Sequence, residues 1–188
     1  MIMPIISYGS KVLKQKAKDI NLDYPNLKDL INNMFETMYA AKGVGLAAPQ
    51  IGLSIRLFIV DGSPFADEDA DMVDFRKVFI NPQIIEQSGH TWSFNEGCLS
   101  IPNIREDVSR LSKIRIVYKD NEFNTVDEVY DGTKARIIQH EYDHIEGLLF
   151  TDHLSVIKKR LLRSKLNDIS KGKVNVDYKM KFSNKKGR

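Results

Sequence analysis

The segment His140-Glu141-Tyr142-Asp143-His144 restricts this chain more than any other. Residues four apart share one face of an α-helix, so both imidazoles can reach a single cation while Glu141, one step round, can touch a water beside it. The alternative is a surface helix on which two histidines and interspersed acids fall together by chance. A catalytic centre also needs a third protein ligand and an open position, and the source of that ligand separates the H-E-x-x-H arrangements. The downstream sources fail here. Phe150 stands where the pattern H-E-x-x-H-x-x-G-x-x-H requires its third histidine, and no glutamate follows Glu146. The third ligand must come from upstream, or from a less usual aspartate.

Upstream, the chain's single cysteine, Cys98, lies in Glu96-Gly97-Cys98-Leu99-Ser100, just after a strand-like stretch, and its thiolate is the strongest candidate. The plainer role for a free cysteine is that of a small buried hydrophobe. His90 is a rival ligand, although Ser88-Gly89-His90-Thr91 has the composition of an exposed turn. One cysteine excludes an intrachain disulfide and fits a reducing compartment. With 188 residues, 42% hydrophobic and 28% charged, the chain suits one compact domain with its own core.

Pro25 to Lys42 carries Leu27, Leu30, Ile31, Met34 and Met38 at helical spacing, which predicts an amphipathic helix ending at Gly43. From Gly43 to Gly52 the glycines and Pro49 forbid a regular helix and leave a loop or irregular strand that another chain can approach closely. Ile55 to Asp61 and Val78 to Glu86 read as strands, with Pro82 marking an edge or a bulge. The acidic stretch from Asp67 to Asp74 opens like a calcium loop. Met72 and Val78 occupy the positions that need glycine and glutamate, so a solvated loop is the better reading.

Lys113 to Tyr118 and Thr125 to Tyr130 alternate and flank Asp120-Asn121-Glu122-Phe123, a hairpin pattern. Thr133 is placed to cap the H-E-x-x-H helix, which should run to about Gly147, and Ser155 to about Ser170 predicts a second, basic helix. The expected fold class is α+β: antiparallel sheets around a central metal-binding helix, with an N-terminal helix and a C-terminal helix.

The net charge of +3 is unevenly spread. Beyond residue 157, Lys158, Lys159, Arg160, Arg163, Lys165, Lys171, Lys173, Lys179, Lys181, Lys185, Lys186 and Arg188 meet only Asp168 and Asp177, so the rest of the chain is net acidic. Such a segment attracts phosphate without reading nucleic-acid sequence. The plainer reading is a solvated face, with Leu154, Ile157, Leu161, Leu162 and Leu166 packed on the domain. The longest apolar runs fall far short of a bilayer span, and Met1 to Ile6 has neither the basic flank nor the cleavage site of a secretory signal. No membrane partner is expected, and the expected location is the cytoplasm.

Three segments together resemble the signature motifs of the peptide deformylase family. They are Gly43-Val44-Gly45-Leu46-Ala47-Ala48-Pro49-Gln50, Glu96-Gly97-Cys98-Leu99-Ser100 and Gln139-His140-Glu141-Tyr142-Asp143-His144. Their order and separations match, and the similarity in layout covers roughly Met3 to Leu166. The resemblance implies that Cys98, His140 and His144 bind the metal and that Glu141 is the acid/base. It implies that Gln50 and the backbone N–H of Leu99 bind the formyl oxygen, and that Gly45 pairs with the substrate backbone.

A substrate running as an added strand along Gly43 to Gly45 would set its methionine against Val44, Leu99 and Ile137, although Ile137 serves equally well as core. Arg105 matches a basic position near the family's site entrance, where it either meets the peptide backbone or stays solvated. Asp143 and Gln139 are candidates to orient the ligands. The family metal is Fe(II) in native bacterial members, with nickel, cobalt or zinc able to replace it. A thiolate with two imidazoles by itself suits zinc, cobalt or ferrous iron.

The implied activity is hydrolysis of the N-formyl group from the N-terminal formyl-methionine of nascent polypeptides, with release of formate. The implied partners are the N-formylmethionyl nascent peptide and, through the basic C-terminal helix, the ribosome near its exit tunnel. Residues 1–170 form the expected catalytic domain and residues 171–188 a basic tail. An acidic insertion longer than the family minimum, and Arg136 beside Ile137, are the departures from the pattern. Two other classes compete. An H-E-x-x-H endopeptidase lacks its downstream ligand here, and an idle, basic ribosome-binding homologue would have lost Glu141 or a ligand.

Overall fold

The computed structural model describes residues 1–183. A short strand β1 (Ile5–Ile6) precedes helix α1 (Leu27–Ala40), which turns Ile31, Met34, Phe35 and Met38 inward as its apolar spacing predicts. The helix ends at Ala40, with Ala41 and Lys42 between it and the predicted stop at Gly43. Lys42 takes the left-handed conformation (φ 56), and the Gly43 N–H donates back to the Met38 carbonyl at 2.9 Å. Gly43 is needed for a different reason: a Cβ there would lie 2.8 Å from Leu99 Cδ1.

The segment expected as loop or irregular strand is both, since β2 (Gly45–Ala47) runs into a helical turn at Ala48–Ile51. Strands β3 (Leu57–Asp61), β4 (Arg76–Cys98), β5 (Ile101–Lys119) and β6 (Thr125–Asp131) complete a five-stranded sheet in the order β2-β3-β4-β5-β6. Every neighbouring pair is antiparallel. The predicted hairpin is present, with Lys113 opposite Asp131 and Lys119 opposite Thr125.

β4 is far longer than the predicted strand. Pro82 sits at a bulge, between Ile80 and Gln83, as expected. Ser88-Gly89-His90-Thr91, read as an exposed turn, instead continues the strand through a third register shift. Gly89 adopts φ +81, and a Cβ there would lie 2.4 Å from Ser112 Oγ, so the turn-type residues are absorbed as a bulge against the neighbouring β5. His90 is exposed and does not belong to the ligand cluster found among the described residues.

Helix α2 (Gly132–Ile145) carries the H-E-x-x-H segment across the inner face of the sheet, against β2, β3, β5 and β6. Its cap is Asp131, not Thr133: the Asp131 carboxylate accepts the Gly132 N–H at 2.7 Å. Phe58, Phe79, Ile114, Ile116, Ile138 and Ile145 fill the layer between helix and sheet, while Met34 and Met38 pack on Leu46, Leu57, Ile59 and Ile80.

Helix α3 (Val156–Ser170) begins as predicted, with Ser155 Oγ accepting the Lys158 N–H at 3.3 Å. Leu162 and Leu166 are buried, as expected, together with Leu154 before the helix. Ile157 and Leu161 are not: they are 74% and 73% exposed, because only the stripe of Leu162, Leu166 and Ile169 faces the core. Gly172 (φ +74) turns the chain back, and β7 (Met180–Lys181) pairs parallel to β1.

The acidic stretch holds short helical turns with Met72 buried and Asp69 Oδ1 accepting the Asp71 N–H at 3.1 Å. No helix among the described residues is long and apolar enough to cross a membrane. Lys185, Lys186 and Arg188 of the basic tail lie outside the described residues.

Candidate metal centre and substrate cleft

Cys98 ends β4, and His140 and His144 lie one turn apart on α2. The fold brings their ligand atoms within 4.8 Å of one another, the one such cluster among the described residues. Cys98 Sγ is 3.3 Å from His144 Nε2. Phe150, at the place where a downstream histidine would be needed, is buried and stacks its ring on His140 instead.

Glu96 orients the cluster. Its carboxylate is 2.9 Å from His140 Nδ1 and accepts from Arg110 Nε at 2.7 Å and from Arg136 Nη1 at 2.9 Å. Engagement of Nδ1 leaves Nε2 of His140 for a cation. Arg110 is held in turn by Asp143, at 2.8 Å, and Asp143 also meets His153 at 2.7 Å. Asp143 therefore acts on His140 through Arg110 and Glu96. Gln139 does not join this chain of bonds; its amide donates to the Leu111 carbonyl at 3.1 Å.

The electrostatics draw positive charge. Burial would raise Glu96, but Arg110 and His140 hold its carboxyl well below the usual carboxylate range. Burial also opposes ionisation of Cys98, yet His144 and His140 bring its thiol down to about 5. Against the lowering effect of burial, Cys98 and Glu96 push His140 well above its ordinary value. A divalent cation bound by the thiolate and both imidazoles would take over the role of those protons, so the donor set fits a metal.

Glu141 lies beside the ligands, and its Oε2 is buried without a hydrogen-bond partner. Burial, against the pull of His140 and His144, pushes its carboxyl up to about 7. A Cβ on Gly45 would lie 2.4 Å from Glu141 Oε1, so only glycine lets β2 pass this close to the carboxylate. That contact joins the first and third motifs, and it was not readable from either alone.

A cleft of about 840 Å³ opens on the centre. Gly43, Val44 and Gly45 form one wall, Glu96 to Leu99 with Arg105 the other, and Arg136, Ile137, His140 and Glu141 line its floor. Gln50 Oε1 accepts the Ala47 N–H at 2.8 Å, which turns its amide nitrogen toward Cys98 Sγ, 3.5 Å away. Ile137 is both core and lining, packed in one cluster with Val44. Arg105 is pinned across Gly97 by Asn95, through Nε to the side-chain oxygen at 2.9 Å and Nη2 to the carbonyl at 2.6 Å.

Residues 2–160 match the family model described as polypeptide deformylase. A peptide deformylase of Christiangramia forsetii is 62% identical, over 99% of this chain and 98% of its own length. One of Flavobacterium johnsoniae is 54% identical over the whole of both chains. The crystal structure of a peptide deformylase from Legionella pneumophila superposes with a TM-score of 0.79 at 36% identity, covering 92% of this chain and 98% of that one. A thiolate and two imidazoles gathered beside a buried carboxylate, in a fold and sequence shared with these proteins, place the chain in the polypeptide deformylase family.

Proposed function

We propose that this protein hydrolyses the N-formyl group from the N-terminal formyl-methionine of nascent polypeptides and releases formate. The observation that carries the reading is the cluster of Cys98, His140 and His144 at one end of a cleft that also presents the unpartnered Glu141 carboxylate. In this reading the three residues are the ligands of one divalent metal, Fe(II) natively, with zinc, nickel or cobalt as replacements. When bound, the cation supplies Lewis-acid chemistry that acidifies water and polarises a carbonyl.

The chain's own groups do the rest. Glu141, held near neutrality, takes a proton from the attacking water and returns it to the departing amine. The Gln50 amide and the Leu99 N–H share the charge that develops on the formyl oxygen. The peptide lies as an added strand along Gly43 to Gly45, its methionine against Val44, Leu99 and Ile137, with Arg105 at the entrance. Residues 1–170 carry the catalytic and metal-binding groups, and the segment after Gly172 packs back on them through β7. Nascent chains as substrate place the enzyme in the cytoplasm.

Formate release from a formyl-Met dipeptide, by protein purified without oxygen in Fe(II), tests the activity. Glu141→Ala should keep its metal and lose about two to four orders of magnitude in turnover. A fully active variant would remove Glu141 from the mechanism. The exposed Lys159, Arg160, Arg163 and Lys165 on α3 support a contact with ribosomal phosphate near the exit tunnel. Co-sedimentation with ribosomes should weaken in an Arg163→Gln/Lys165→Gln double variant; unchanged binding would exclude these two charges.

A further inference from the structure

After α3 the chain returns to the cleft. Asn175, Val176, Asp177 and Tyr178 are part of its lining, although the match to the family model ends at residue 160. This strap ties the two walls together. On one side Tyr178 Oη donates to the Leu99 carbonyl at 2.8 Å, and Asn103 Nδ2 donates to the Asn175 carbonyl at 3.2 Å. On the other side Lys42, next to Gly43, places Nζ 3.0 Å from Asp177.

The strap is also anchored beyond the cleft. The Ile5 N–H donates to Lys179 O at 2.8 Å and the Ser7 N–H to Lys181 O at 2.9 Å. A Cβ on Gly9 would lie 2.9 Å from Ser183 Oγ, so the strap's far end is packed closely on the N-terminal segment. Lys42 and Arg105 bring positive charge to this part of the lining. Arg105 is satisfied by the neutral Asn95, and Glu96 and Glu141 are buried at the metal centre. Asp177, with its side chain 69% exposed, is the acidic group that the cleft turns to solvent among the described residues.

We propose that residues 175–178 form the wall that meets the nascent chain beyond its formyl-methionine, with Asp177 setting the charge preference there and Tyr178 positioning the Leu99 peptide. The proposal rests on the deformylase reading above. A peptide laid between Gly43–Gly45 and Leu99 reaches the strap with its following residues, where Asp177 offsets the repulsion that Lys42 and Arg105 exert on basic side chains.

The test compares kcat/KM for formyl-Met-Ala-Lys and formyl-Met-Ala-Glu in the full chain loaded with Fe(II). Asp177→Lys should move the Glu-to-Lys ratio upward by about five-fold, the size of a two-unit charge change near a surface after salt screening, and 1 M salt should collapse the shift. Asp177→Asn, which keeps the side chain's shape, should move it about two-fold in the same direction. Tyr178→Phe should lower kcat for both peptides alike and leave the ratio as in the wild type. An unchanged ratio in both Asp177 variants, or a shift that survives 1 M salt, would overturn the role given to Asp177. Failure of the wild type to release formate even from formyl-Met-Ala would instead overturn the deformylase reading, and the strap's function with it.

Discussion

Helices α2 and α3 are nearly equal in length and both rich in ionisable groups, yet they handle charge in opposite ways. On α2, Arg136, Glu141, Asp143 and His144 are buried, and the pairs run through Arg110 and Glu96 into the metal cluster. On α3, Arg160, Arg163 and Lys165 project into solvent, and the helix is held by Leu162, Leu166 and Ile169. A buried charge must be paired to be tolerated, so Arg136, His140 and Asp143 depend on Glu96 and Arg110, whereas Glu141, without such a partner, has its pKa pushed up by burial. A solvated charge depends on nothing nearby, which leaves α3 free to carry a field outward.

The sharpest way to break this contrast is Glu96→Ala. It strips Arg110, Arg136 and His140 of a shared partner at once, and should cost about 3–5 kcal/mol of stability. Metal affinity should fall by about 10- to 100-fold as His140 loses its orientation. Thermal melts and metal titration read both, and a change under 1 kcal/mol would mean that the buried network is not cooperative.

Glu146, just past the end of α2, offers a smaller test. Burial would raise its pKa, but Arg56 Nη1 at 2.6 Å and Lys16 lower it below the ordinary value. The stability from this depression is full above the unfolded carboxylate pKa of about 4.3 and is lost as pH falls through the folded one. Glu146→Gln should therefore have a lower Tm than wild type at pH 7, with the gap narrowing toward pH 3. A gap constant with pH would assign the loss to packing. The smallest effect is expected on α3, where Arg163→Gln/Lys165→Gln should shift stability by no more than about 0.5 kcal/mol. A larger loss would show that α3 uses its charges structurally after all.

Much of the fold follows from local chemistry. The α1 stripe, the Ser155 cap, the bulge at Pro82 and the hairpin around Asp120-Asn121-Glu122-Phe123 are written in neighbouring residues, and each appears where spacing and turn chemistry put it. The misreadings occurred where a local signal had two outcomes. Ser88-Gly89-His90-Thr91 could reverse the chain or bulge within a strand, and the presence of β5 alongside decided for the bulge. Thr133 and Asp131 could each cap a helix, and the exit of β6 from the sheet chose Asp131. Ile157 and Leu161 share helical spacing with buried leucines, but the core meets only the narrower stripe of Leu162, Leu166 and Ile169.

The candidate site divides in the same way. Sequence alone determined the two-histidine helix face and narrowed the third ligand to Cys98 with His90 as its rival, because ligand chemistry and helix period are local; the family resemblance is what singled out Cys98. Only the tertiary structure decided what surrounds them. Glu96 becomes a hub because Arg110, Arg136 and His140 converge on it from distant parts of the chain. Gly45 must be glycine because Glu141 arrives from the other side of the core, and Tyr178 reaches Leu99 because β7 pairs with β1. Contacts of this kind depend on where separate elements meet, and the spacing of residues along the chain carries no record of that.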